Sequence, residues 1–230
     1  MDIINKLGRL WTVLLPALLL VAIFQYAHHI NSIINSIGGI YLRESFNTLV
    51  SKAEVTIPGA PFRPQMTMKQ MAPNKSSTKM EVNMNGQKMT LMKSSFDGET
   101  GYTEGQGQRK AMDQKQIDRA KAVKGIFEEL YYSEDEIELM SINSIDFKDA
   151  YKVKITEGEK VSYRYYSVDS SLLLSEEEED ENNNITVTYY DDYRDVSGIK
   201  FPFNINTPSQ KIELNFTEIL INEEIKDSDF

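Results

Sequence analysis

KMEVNMNGQKMTLMKSSF, Lys79 to Phe96, is the stretch from which the rest of the chain can be read. Met80, Val82 and Met84 recur at every second position, the period of a strand with one face buried. Asn85-Gly86 follows at once, and such a pair joins antiparallel strands because both central positions of the turn need positive φ. Gln87 to Phe96 is then the return strand, and Asp97-Gly98 marks the next turn.

The same two-residue period extends outward in both directions. Upstream, Glu54 to Ile57 is a strand closed by Pro58-Gly59, and Gln65 to Gln70 alternates through Met66 and Met68. Pro61 and Pro64 keep the residues between them out of a central strand, since proline cannot donate to a ladder. Downstream, Tyr102 opens a short strand before the polar Gly105-Gln106-Gly107 loop. Met112 to Leu130 is the one long helical stretch of the body, capped by Asp113 and interrupted at Gly125. Strands then resume at Glu136 to Ile145, Ala150 to Thr156, Lys160 to Val168, Leu172 to Glu177, Ile185 to Tyr190, Lys200 to Ile205 and Ile212 to Ile221. Short turns join most of them, so the expectation is an α+β chain built on an antiparallel meander of about ten strands. A sheet that long tends to curl, and helices can cover its concave face.

The N-terminus has a different character. Leu10 to Ala27, LWTVLLPALLLVAIFQYA, is uncharged and follows Lys6 and Arg9, the arrangement of an export signal or signal anchor. Its densest part, Val13 to Phe24, is short for a bilayer span, which favours a cleaved signal; the poor small-residue pattern before Ala27 favours a retained anchor. Both readings place the body outside the cytoplasm. Residues 1–27 are thus a signal peptide or anchor, with membrane contact through residues 10–27 if uncleaved, and 28–230 form one domain. Ile30, Ile33, Ile34 and Ile37 have helical spacing, Gly38-Gly39 breaks it, and Tyr41 to Val50 resumes it, giving a short helical hairpin before the first strand.

Composition limits the chemistry. Hydrophobic residues make up 40% of the chain, enough for a core. A net charge of −10 repels phosphate backbones and argues against nucleic-acid binding. There is no cysteine, and the only histidines, His28 and His29, are adjacent and point about 100° apart on a helix, poor geometry for one metal ion. No nucleophile, base and orienting group can be assembled from this inventory, so an enzyme, a bound metal and a cofactor are not expected. The acid run Glu176 to Glu181 and the group Asp191, Asp192 and Asp195 read as solvated turns.

Methionine is the residue that stands out. Seven of the ten fall between Met66 and Met92. An unbranched, polarizable side chain lines surfaces that adapt to apolar partners of varied shape, although such a face can equally pack beneath a helix. The candidate ligand-binding residues are Met66, Met68, Met80, Val82, Met84, Met89, Leu91 and Phe96.

Several ordered motifs carry a family resemblance: AP-N-K at Ala72 to Lys75, FDGETGY at Phe96 to Tyr102 and DFKDAYKVKI at Asp146 to Ile155. They continue with YYSVDSSLLL at Tyr165 to Leu174, YRDVSGIKFPF at Tyr193 to Phe203 and FTEILINEEIKDSDF at Phe216 to Phe230. In this order, with the methionine hairpin, the chain resembles the LolA/LolB-like lipoprotein-sorting domain of the Bacteroidota type. That domain also occurs appended to insulinase-type zinc peptidases, whose H-x-x-E-H motif is absent here. The resemblance implies an open, strongly curved half-barrel closed by helices over an apolar cavity, and a periplasmic carrier or chaperone for lipid or the acyl chains of lipoproteins. A membrane-tethered structural or interaction subunit of an envelope complex, with a membrane-protein partner, is the alternative.

Overall fold

The computed structural model describes residues 46–230 except 106, 134, 159 and 180–183. The expected N-terminal hydrophobic helix, signal or anchor, the helix from His28 and both histidines lie outside the described residues. Among the described residues no helix is long and apolar enough to cross a membrane.

Thirteen strands form one antiparallel sheet. They are β1 (Thr48–Thr56), β2 (Gln65–Met71), β3 (Lys75–Met84), β4 (Gln87–Phe96), β5 (Gly101–Gly105), β6 (Gln108–Ala111), β7 (Ile137–Ile145), β8 (Lys148–Glu157), β9 (Lys160–Ser167), β10 (Leu173–Glu179), β11 (Ile185–Val196), β12 (Ile199–Thr207) and β13 (Ile212–Ile221). The order across the sheet is β6-β5-β4-β3-β2-β1-β13-β12-β11-β10-β9-β8-β7. Two meanders therefore run outward from the centre, where the first and last strands pair, and among the described residues the sheet is open, with β6 and β7 as its edges.

That topology dictates what covers the sheet. The chain leaves β6 at one edge and must enter β7 at the other, so residues 112–136 have to cross a face. They begin with helix α1 (Gln114–Ala122), capped by Asp113 in a reciprocal pair with Gln116. The crossing chain lays Phe127 against Phe201 and Phe46, with ring centroids 5.8 and 6.3 Å apart. We call the crossed side the inner face. Its centre is a cluster of Ile199, Phe201, Phe203 and Ile219, joined by Leu49, Phe216 and Ile221. A second cluster, Val153, Ile155 and Tyr166, takes Tyr132 of the crossing chain and Leu139 of β7.

The structure changes several expectations. The described residues form thirteen strands, not about ten; β6 reads QRKA and is exposed throughout, so no buried alternation announces it. Among the described residues the cover is one short α-helix with no buried residue, followed by irregular chain. The helix stops at Ala122 because Val123 turns extended, and Gly125 then passes so close to the Tyr131 ring that a Cβ would lie 2.6 Å from its hydroxyl. Helical spacing at Leu49 and Val50 is overruled, since β1 starts at Thr48 and is held by ladders on both sides. The Asn85-Gly86 turn is as expected, with φ of 55° and 82°.

The C-terminal residues buttress the opposite, outer face. After β13 the chain returns past β2 and β3, where Lys69 and Lys75 pair with Asp229 and Asp227 at 2.7 and 2.8 Å.

Candidate functional site

The methionines of the sequence pattern meet across strands. Ala53, Met66, Met80 and Met92 are direct partners in four successive strands, β1 to β4. Val82 faces Met89 one step nearer the hairpin tip. Ser51, directly across from Ile219 of the central cluster, lies two residues from Ala53, so this row shares the inner face. Beside it runs a second row, Ser51, Met68, Thr78 and Ser94, in which only Met68 is large.

Among the methionines, burial falls away from β2 toward β4 and toward the hairpin tip. Met66, Val82 and Phe96 are buried, Met68, Met80 and Leu91 are half-buried, and Met84, Met89 and Met92 are exposed. The register slips between Met80 and Glu81, so Leu91 is the extra residue of a bulge and stands outside the row. The same slip lets Met89 and Met92, three residues apart, share one face. Phe96 stands on that face too, opposite Ser76 at the far end of the hairpin.

A polar node, missed in the sequence, interrupts the inner face on β9 to β11. Arg164 stands directly opposite Glu176, with Nε 3.3 Å from its carboxylate, and Nη1 lies 3.7 Å from Glu129 on the crossing chain. Tyr132 stacks on the guanidinium at 5.4 Å. Tyr190 donates its hydroxyl to Glu176 at 2.9 Å, and Tyr193 donates to the Leu173 carbonyl at 2.8 Å. The acid run is therefore not a solvated turn in its first four residues. Glu176–Glu179 are strand, and the alternation turns Glu176 inward to a cation twelve residues earlier. Asp191, Asp192 and Asp195 likewise sit within β11, where Asp192 has a φ of 52° and pairs with Arg194.

Burial works against charge on Arg164, but the surrounding tyrosines and carboxylates outweigh it and hold the guanidinium protonated. Burial likewise pushes the Tyr166, Tyr190 and Tyr193 phenols well above their ordinary value, with Glu176 adding to the effect at Tyr190. A raised tyrosine pKa means that above about pH 10 the unfolded chain releases protons that the folded chain retains. Stability is therefore expected to fall as pH rises beyond that point. Urea midpoints followed from about pH 8 to pH 11 check this; a flat midpoint with ordinary tyrosine ionisation contradicts it.

Arg164 is neutralised by its carboxylates, and no group of three metal-ligating side chains occurs among the described residues. A separate groove of about 350 Å³ lies between the β7–β8 turn and β11–β12; Asp146, Lys148, Asp191, Asn204 and Asn206 make it polar and unsuited to an acyl chain.

No protein-family model matches this sequence, and neither does any curated protein. Solved structures do match in shape. A DUF1329 family protein from Desulfovibrio piger superposes with a TM-score of 0.56 at 9% identity, covering 88% of this chain and 95% of its own. A LolA superfamily protein from Nitrosomonas europaea gives 0.55 at 11% identity, with 86% and 94% covered. A putative outer membrane lipoprotein-sorting protein domain from Vibrio parahaemolyticus gives 0.52 at 9% identity, with 81% and 90% covered. The open sheet with its crossing segment thus has the LolA-like fold.

Proposed function

We propose that this chain is a periplasmic carrier or chaperone that shelters lipid or the acyl chains of lipoproteins against its inner face. One observation carries the reading: the Met66–Met80–Met92 row lies on the inner face of an open LolA-like sheet and grows more exposed from β2 to β4. Each methylene moved from water to such a face contributes about 0.8 kcal/mol, so acyl chains bind without a dedicated polar site. The fold shared with a domain named for lipoprotein sorting supports the same cargo class. On this reading the protein is not an enzyme and needs no cofactor. Residues 10–27 direct it to the envelope, where it is either freed by cleavage or tethered to the inner membrane.

A second reading, an interaction subunit of an envelope complex, is favoured by exposed Met140 and Ile142 on β7, the edge strand among the described residues. Native mass spectrometry of protein purified from its own host separates the two. The carrier reading expects the folded protein to retain acyl lipid; a lipid-free protein that copurifies with a stoichiometric partner contradicts it.

A further inference from the structure

Methionine is the only sulfur-bearing side chain here, and its exposure is graded along the β3–β4 hairpin. Met84 is 47% exposed, Met89 48% and Met92 40%, whereas Met66, in the same cross-strand row as Met92, is 8% exposed. Met140, on edge strand β7 at the far side of the sheet, is 49% exposed. Thioethers react with two-electron oxygen donors according to access, and the product is a polar, chiral sulfoxide.

We infer that Met84, Met89 and Met92 form a reversible oxidation site that lowers the affinity of the inner face for acyl chains. The inference rests on the carrier reading for its consequence but not for its chemistry. A sulfur lone pair attacks one oxygen of hydrogen peroxide, the O–O bond breaks and an S–O bond forms. Sulfur loses two electrons, and the departing hydroxide takes up the remaining proton as water. Reduction by a dithiol runs the change backward, giving a disulfide and water. Three sulfoxides at the open end of the face replace an adaptable apolar surface with strong hydrogen-bond acceptors, which an acyl chain cannot satisfy.

The test treats the full chain with hydrogen peroxide and follows it by peptide mapping together with titration of a fluorescent fatty acid. Met84, Met89, Met92 and Met140 are expected to gain oxygen well ahead of Met66. Probe affinity should fall at least tenfold in step with the hairpin sulfoxides, and return on treatment with methionine sulfoxide reductase and dithiothreitol. In the triple variant Met84→Leu, Met89→Leu, Met92→Leu, peroxide should leave unchanged the probe affinity that the untreated variant shows, although its Met140 is still oxidised. Hairpin methionines that oxidise no faster than Met66 overturn the site. Sulfoxides at all three with unchanged affinity overturn the switch. An untreated protein that binds no probe refutes the carrier reading and the switch with it, while the map still decides the site.

Discussion

Arg164→Leu is expected to destabilise the fold by about 3–5 kcal/mol, because it leaves two carboxylates without their cation in a largely dry place. The Arg164, Glu176 and Glu129 side chains are only 8%, 13% and 20% exposed. Coulomb attraction there is little screened, and the desolvation already incurred by each carboxylate is no longer offset. Glu129 belongs to the crossing chain, so the same change loosens the cover: hydrogen exchange around 127–132 should rise more than the global loss accounts for. Converting all three residues together (Arg164→Leu, Glu176→Leu, Glu129→Gln) should recover most of the loss, since an apolar replacement of a whole buried ion cluster is often neutral. Lys52→Ala is the control. Its partner Glu218 and Lys52 itself are about half exposed, and such surface pairs are worth roughly 0–1 kcal/mol. Urea unfolding of the four proteins decides; an Arg164→Leu loss no larger than that of Lys52→Ala would remove the node from the account.

Met80→Asp should weaken acyl-probe binding on the order of a hundredfold, roughly 3 kcal/mol, by placing a carboxylate in the middle of the methionine row. Met80 is half-buried between Met66 and Met92, so a charge there cannot turn fully to solvent while a chain lies across the row. Met140→Asp, equally a methionine-to-acid change but on the β7 edge, should leave the probe affinity within a factor of two or so. If the two variants bind alike, the cargo face lies elsewhere. Circular dichroism and a urea midpoint on each variant keep loss of binding distinct from loss of fold.

How much of this was legible in the sequence follows physical lines. The β3–β4 hairpin could be read because alternation, an Asn-Gly turn and a second alternating run are local signals, and β4 begins and ends at Gln87 and Phe96 as read. Neither β6 nor the end of α1 could be read in that way. Arg109 and its neighbours in β6 bury nothing, and Val123 leaves the helix because the crossing chain must be free to place Phe127 on Phe201. The polar node was hidden for a different reason. Glu176 lies in a run of acids that looks solvated until strand alternation and the β9–β10 register turn it onto Arg164, and register between distant residues is not written in either segment alone. The methionine pattern gave the right strands but not the bulge, so Leu91 seemed equivalent to its neighbours while the fold sets it apart.

The most direct test of acyl-chain carriage is an equilibrium titration of the full chain with a fluorescent fatty acid, followed by displacement with a non-fluorescent diacyl lipid. The account predicts a saturable signal at about one site per chain that the competing lipid reverses. A signal that never saturates, or that the competing lipid leaves unchanged, would contradict it.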